Sequence, residues 1–279
     1  MMRWIASLKR WPKGWAASVL VVATAIGGAD LRAQSAGDAK AQKELRQRAD
    51  KGDTQAQIQL AQSLMDGSSG KPNYSQGAKW LRKAADQGSE MAQYLLAGLY
   101  ARGQGVKADD VESANLYRKA AVKGLAAAQV AFGTLRLNGD GVERDEVDAA
   151  AWFRKAADQF FPPAQHNLAL AFDNGRGVTK DDVEAIPWYR KAAEQGFAPS
   201  QYELGEKYQA GRTLSKDLVE AYKWWLLAGA QGHEEAMTQL SFLEIKLSAE
   251  QRTDGQQRAR TFKPRNMAAE AAAAKSTAK

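Results

Sequence analysis

The sequence predicts an all-α protein: a right-handed α-solenoid of five 36-residue helix-turn-helix repeats with capping helices at both ends. The first supporting observation is the motif WYRKAAEQG at residues 188–196, related copies of which recur every 36 residues. The second is a Gly-x-Gly-Val motif that occurs three times at the same spacing, and the third is the helical spacing of apolar residues around these motifs. A fixed period of this length is typical of solenoids built from stacked helix pairs. The copies of the first motif start at Trp80, Leu116, Trp152, Trp188 and Trp224.

The first 33 residues have the order of a secretory signal peptide. Basic residues precede the apolar run at residues 15–26, and small residues follow it. The run is shorter than the roughly 20 residues that a membrane-spanning helix needs. We expect cleavage after Ala29 or Ala33 and export to the periplasm or out of the cell. In the alternative, an uncleaved chain is anchored in the inner membrane by residues 15–29.

The mature chain divides into caps, repeats and a tail. Residues 34–52 are expected to form a linker and an N-terminal capping helix, because Leu45–Gly52 aligns with Leu81–Gly88 one period later. Residues 233–263 are expected to form C-terminal capping helices, the last opened by a capping box at Ser248 and Gln251. The Ala- and Lys-rich residues 264–279 are expected to be a disordered tail. The repeats lie between the caps, with bounds 53–88, 89–124, 125–160, 161–196 and 197–232.

The second helix of each repeat has one apolar face. In the third repeat Ala149, Trp152, Phe153 and Ala156 fall at i, i+3, i+4 and i+7, which places them on one side of a helix. The equivalent tryptophans are expected to be core residues, and Trp152 is expected to be buried against both neighbouring repeats. Pro187 lies inside the equivalent helix of the fourth repeat and predicts a late helix start or a kink.

In the three middle repeats, the first helix opens on Ala-Gln and ends at Gly-x-Gly-Val. This motif follows a helix and lacks a third glycine, so it predicts a turn between paired helices, not a nucleotide-binding loop. Together these residues resemble the Sel1-like repeat, a relative of the tetratricopeptide repeat, over residues 53–232. The resemblance implies a helical solenoid and an adaptor role in complex assembly, secretion, signalling or protein quality control. Both outer repeats depart from the pattern, at residues 67–70 and 211–213, as the ends of a solenoid do.

The composition argues against several kinds of chemistry. There is no cysteine, and the two histidines, His166 and His233, have no metal-binding spacing. The one Ser-x-x-Lys motif, at residues 276–279, lies in the predicted tail and has no accompanying Lys-Thr-Gly. The net charge of +7 comes from the ends of the chain, because residues 53–232 contain 21 basic and 22 acidic residues. We therefore expect no catalytic residues, no metal, no cofactor and no nucleic-acid partner.

The first helices are expected to line a concave groove that binds a partner protein. The resemblance to tetratricopeptide repeats implies two binding positions on these helices, two and ten residues after the opening alanine, and residue type varies between repeats at both. A specific, non-repeating partner would impose such variation, and so would drift at a free surface. The groove candidates are Tyr94, Arg102, Asn138, His166, Asn174 and Tyr202.

The sequence thus favours a non-catalytic protein–protein interaction scaffold of the cell envelope. Two alternatives stay open at this point. One is an envelope enzyme or glycan-binding protein that acts on cell-wall polymers, and the other is an intracellular adaptor with an uncleaved signal-like start.

Overall fold

The computed structural model describes residues 31–68 and 70–277, and within these ranges all regular secondary structure is helical. The predicted signal peptide falls largely on residues 1–30, outside the described residues. The chain divides into two compact units, Met1–Glu44 and Leu45–Lys279. The described helices are α1 (Leu31–Asp50), α2 (Thr54–Asp66), α3 (Tyr74–Asp86), α4 (Glu90–Arg102), α5 (Asp110–Val122), α6 (Ala126–Asn138), α7 (Glu146–Ala157), α8 (Pro162–Asn174), α9 (Asp182–Glu194), α10 (Ala198–Ala210), α11 (Leu218–Gly229), α12 (Glu234–Glu244), α13 (Ala249–Thr261) and α14 (Met267–Thr277).

The larger unit confirms the solenoid. Helices α2 to α11 form five pairs, and each helix packs on the next one in the chain. Aspartates cap the second helices of the last four repeats, because a carboxylate can accept from the free N–H groups of the first turn. The Asp145 side chain, for example, accepts from the Asp148 N–H at 2.9 Å. The alanine pairs of the second helices are buried, which allows the neighbouring helices to approach closely.

Gly-x-Gly-Val forms the predicted turn and also holds adjacent repeats together. Its first glycine, as at Gly139 (φ 83°), ends the first helix in the left-handed conformation. Its second glycine, as at Gly141, also has a positive φ (66°) and presses against the Asp110 carbonyl of the preceding repeat. A side chain at Gly141 would overlap that carbonyl, so glycine is required for close approach as well as for backbone geometry.

A row of buried glutamines links each repeat to the one before it; we call this row the glutamine ladder. Each side-chain amide donates to the carbonyl eight residues earlier, as Gln129 Nε2 does to Ala121 O at 3.1 Å. In four repeats the side-chain oxygen accepts from another glutamine at the end of the second helix, as Gln129 Oε1 does from Gln159 Nε2 at 2.8 Å. The five members are Gln57, Gln93, Gln129, Gln165 and Gln201.

Three local expectations are corrected by the structure. Trp152 is partly exposed, whereas Trp80, Trp188 and Trp224 are buried. The Trp152 ring meets Phe132 edge to face at 5.6 Å, and the flexible Lys155 side chain covers it, with Nζ 4.0 Å from the ring centre. The late start predicted from Pro187 is wrong, because α9 begins at Asp182, directly after its Asp181 cap.

The third correction concerns the C-terminal segment. Residues predicted to be a disordered tail include helix α14, in a stretch rich in alanine, the strongest helix former. Arg265 attaches the start of this segment to α9 through the Glu194 carboxylate at 2.9 Å and the Glu194 carbonyl at 2.8 Å. Upstream, α12 and α13 occupy the predicted C-terminal cap, and Ser248 and Gln251 form the predicted capping box.

Candidate functional site

Three of the six groove candidates are exposed at one repeated position. Arg102, Asn138 and Asn174 are the last residues of α4, α6 and α8, just before the left-handed glycine that ends each helix. Their hydrogen bonds are local: Arg102 Nε donates to Gln104 Oε1 at 2.8 Å, and Asn174 Nδ2 donates to the Leu170 carbonyl at 2.8 Å. All three side chains are therefore accessible to a partner. We call the full set of helix-ending residues the helix-end row: Asp66, Arg102, Asn138, Asn174 and Ala210.

The other three candidates are partly buried between repeats. Tyr94 meets the ring of Tyr117 edge to face at 5.5 Å, and burial raises the pKa of both phenols. Tyr202 stacks on His233, with ring centres 4.7 Å apart. Burial, followed by the Glu206 and Glu203 carboxylates, raises the pKa of Tyr202 to about 12. Ile58 and Val130, at the same position in other repeats, are buried.

His166 is held in a largely apolar setting. Its Nδ1 lies 3.0 Å from Ser200 Oγ in the next repeat, and its ring contacts those of Tyr189 and Phe197 at 5.7 and 5.4 Å. Burial, and secondarily His233, lowers the pKa of His166 to about 3, so the imidazole is neutral at physiological pH. Tyr94, His166 and Tyr202 thus share a packing position, and their direct role in binding stays a prediction.

Sequence reasoning missed a polar cluster between repeats four and five. The Lys207 ammonium on α10 pairs with the Asp173 carboxylate on α8, and both side chains are 19% exposed. Tyr189 Oη lies 3.4 Å from the other Asp173 oxygen. Burial, aided by the Asp173 charge and opposed by Lys207, raises the pKa of Glu203 to about 7. Glu203 therefore exchanges its proton close to neutral pH.

Comparison of the repeats could have revealed this cluster. Lys207 stands where repeats two and three have Leu99 and Leu135, and Asp173 stands where repeat three has Leu137. Each residue taken alone is an ordinary charged residue on a helix, so a motif search does not find it. The signal is a charge at a position that is apolar in other repeats.

The described residues offer neither a metal site nor a membrane span. Within residues 31–68 and 70–277, no group of three or more His, Cys, Asp or Glu side chains is arranged to hold a metal ion. In that same part of the chain, no helix has the length and hydrophobicity required to cross a membrane.

The fold and the surface rows define a helical-repeat protein of paired-helix solenoid type. The Sel1 repeat family model matches five times, at residues 54–89, 90–125, 124–159, 162–197 and 198–233. These matches cover more than half of the chain, and the chain belongs to the Sel1 repeat family.

Two solved structures illustrate the relationship. A protective antigen present in uropathogenic Escherichia coli strains, which displays an SLR fold, is 34% identical with a TM-score of 0.73. That match covers 79% of this chain and 48% of the antigen, so this chain spans about half the antigen's length. A Sel1 repeat protein from Oxalobacter formigenes is 27% identical over 83% of this chain and 97% of its own, with a TM-score of 0.68. No curated protein matches the chain.

Proposed function

We propose that this protein is a non-catalytic interaction scaffold of the cell envelope that binds a partner protein along the helix-end row. Sel1 repeat proteins are commonly protein-interaction scaffolds, and that shared property supports the general class. The envelope location rests on the basic, apolar and small residues in the first 33 positions. The test is the intact mass of the protein purified from the envelope. A mass that corresponds to a chain beginning at Asp30 or Gln34 would support export with cleavage, whereas a membrane-bound chain that retains Met1 would contradict it.

One observation carries the binding proposal: chemically different side chains occupy one exposed position on a regular frame. The helix-end row presents a carboxylate, a guanidinium, two amides and a methyl group in successive repeats. Stacked first helices hold such side chains at fixed spacing, so an extended partner can contact several of them without reorganising the solenoid. The row therefore provides a non-repeating set of contacts on a repeating support.

The test compares two triple variants in the same three repeats. The first replaces Arg102, Asn138 and Asn174 with alanine. The second, a matched control, replaces three exposed valines of the second helices with alanine. These are Val111, Val147 and Val183, whose exposures are 59%, 68% and 69%. Both variants should melt close to wild type, because exposed substitutions usually change stability by less than about 0.5 kcal/mol each.

Binding should separate the two variants. The partner is first crosslinked to the wild-type chain in the envelope, identified and purified. We expect the first variant to bind this partner at least about thirtyfold more weakly than the wild-type chain does, which is the effect of losing a single hot spot. The valine variant should bind normally. Loss of binding only in the valine variant would move the interface to the second helices. Retention of both variants on purified cell-wall polymer, with no protein partner, would instead favour the glycan-binding alternative.

A further inference from the structure

The glutamine ladder is broken at one place. Gln93 is 5% exposed, and its Oε1 has no hydrogen-bond partner among the described residues. The donor that serves this oxygen in the other repeats is a glutamine, but here the position is occupied by Lys123, whose ammonium donates to the Gly88 carbonyl instead. A buried acceptor without a donor is costly, so it marks a place where a ligand can supply one.

Two more departures from the repeat pattern lie in α5, the helix that ends directly before Lys123. Leu116 replaces the tryptophan of the other four repeats, so Lys119 has no tryptophan ring beneath it. In repeat four, by contrast, the equivalent lysine, Lys191, has its Nζ 3.8 Å from the Trp188 ring centre. Val122, 71% exposed, stands where the neighbouring repeats have Asp86 and Asp158. Three of the eight residues from 116 to 123 thus differ from the repeat pattern.

Together with Lys119, two of these departures, Val122 and Lys123, line one cleft between the ends of α3 and α5. Its volume is about 570 Å³, within the usual range for ligand sites, and Gln93 forms part of its wall. Arg118, Lys119 and Lys123 contribute three positive charges and Asp86 one negative charge. Neither Arg118 nor Lys119 has an ion-pair partner within the described ranges. The cleft is therefore cationic, with an apolar rim at Val122 and a buried acceptor in its wall.

At the equivalent place two repeats later, a segment of this chain lies against the second helix and forms one wall of the cleft. The cleft is walled by Arg190, Lys191 and Glu194, the counterparts of Arg118, Lys119 and Val122, together with residues from the C-terminal segment. Met267 of that segment is 8% exposed there. Arg265 pairs with Glu194 and donates its main-chain N–H to the Glu194 carbonyl. This site shows that the end of a second helix can hold a peptide segment through an apolar side chain, an ion pair and a main-chain hydrogen bond.

We propose that the cleft in repeat two binds an acidic peptide segment of a partner protein in the same manner. A carboxylate pairs with Arg118 and Lys119, an apolar side chain covers Val122, and a main-chain N–H donates to Gln93 Oε1. With Val122 in place of an acid, Asp86 is the one negative charge against three positive charges among the described residues of this cleft, so the C-terminal segment of a second copy, which carries Arg265, is disfavoured here. This site uses the ends of the second helices and goes beyond the helix-end row of the proposed function.

The probes are two blocked octapeptides taken from the chain itself. One has the sequence of residues 264–271, and the other has the same sequence with Arg265→Glu. The full chain keeps its own segment in the repeat-four cleft, where the tethered copy outcompetes a free peptide. Calorimetric titration, with amide shifts of Gln93 and Val122 to locate binding, should show saturable binding of the glutamate peptide. Binding of the native-sequence peptide should be at least about tenfold weaker, the effect of one charge-assisted hydrogen bond.

Two variants of exposed residues test the contacts. Val122→Glu recreates the repeat-four charge, so it should weaken the glutamate peptide by about tenfold and strengthen the native-sequence peptide. Val147→Glu, on an equally exposed valine outside the cleft, should change neither. Lys123→Gln restores the ladder donor and removes one positive charge from the cleft, and it should weaken the binding of the glutamate peptide by about tenfold. Absence of saturable binding, equal affinity for both peptides, or no response to Val122→Glu would overturn the proposal; an unchanged affinity in Lys123→Gln would overturn the Gln93 contact.

Discussion

The junction between repeats two and three and the junction between repeats four and five have the same backbone arrangement but different chemistry. The first is apolar, with Ala120, Ala121 and Ala128 packed against Phe132 and with Tyr94 and Trp152 at its margin. The second contains the Asp173–Lys207 ion pair and the His166–Ser200 contact, both between α8 and α10. The solenoid thus accommodates charges at positions that are leucine in other repeats, and here the two charges pair with each other. Single substitutions should show whether this pairing is required.

The largest expected effect tests whether apolar packing supports both regions. Trp225 is fully buried, and its Nε1 donates to the Tyr202 carbonyl at 3.1 Å. Trp225→Ala should therefore lower the free energy of unfolding by about 3–5 kcal/mol, the usual cost of removing a large buried aromatic. Trp152→Ala, at the partly exposed position, should cost roughly half as much. Urea unfolding measures both, and equal losses would contradict the difference in burial.

The next effect tests the paired change directly. Lys207→Leu alone leaves Asp173 without its cation in a poorly solvated place, so we expect a loss of about 3 kcal/mol. The double variant Lys207→Leu, Asp173→Leu places leucine, the residue type of Leu135 and Leu137, at both positions, leaves no unpaired charge and should recover most of that loss. A double-mutant cycle measures the coupling between the two sites. If the stability losses of the two single variants add up in the double variant, the ion pair does not stabilise the two charges.

The smallest effect concerns pH. The folded-state pKa of Glu203 is raised to about 7 by burial first, with Asp173 and Glu206 also raising it and Lys207 lowering it. Between the ordinary carboxyl pKa of about 4.5 and 7, the folded state holds a proton that the unfolded state releases, so stability falls as pH rises through this range. Glu203→Gln should remove this loss, so at pH 8 the variant should be more stable than wild type by about 1–2 kcal/mol. This is less than the free energy equivalent to the whole pKa shift, because the residue is partly exposed.

Comparison of the two chains across pH isolates this group from His166. The His166 pKa is lowered to about 3, so the unfolded state binds a proton that the folded state excludes. This lowers stability as pH falls below about 6.5, the opposite direction from Glu203. Both chains carry His166, so the difference between their stabilities should be small at pH 4 and largest above pH 7. A difference that does not change with pH would contradict the raised pKa of Glu203.

The repeat period made most of the solenoid predictable, because apolar spacing, aspartate caps and glycine stops act locally. The glutamine ladder was less accessible: Ala-Gln was visible as a motif, but the donor to Gln129 lies 30 residues away in sequence, at Gln159. Helix α14 was missed because its composition is alanine-rich and polar, and its attachment depends on Glu194, 71 residues away from Arg265. The exposed candidates Arg102, Asn138 and Asn174 could be named from sequence. The burial of Tyr94, His166 and Tyr202 depends on neighbours that only the three-dimensional structure identifies.

The glutamine ladder also limits how such a chain can change its length during evolution. An inserted 36-residue unit that follows the pattern of the other four repeats, and not that of repeat two, brings its own glutamine, its own donor at the end of the second helix and its own alanine carbonyl, so its buried amide is fully paired. An insertion or deletion of any other size within a helix pair separates these groups and strands them in the interior, at a cost of about 1–3 kcal/mol for each one. Duplication or loss of whole units is therefore the route by which this architecture can lengthen or shorten while each buried amide keeps its partner.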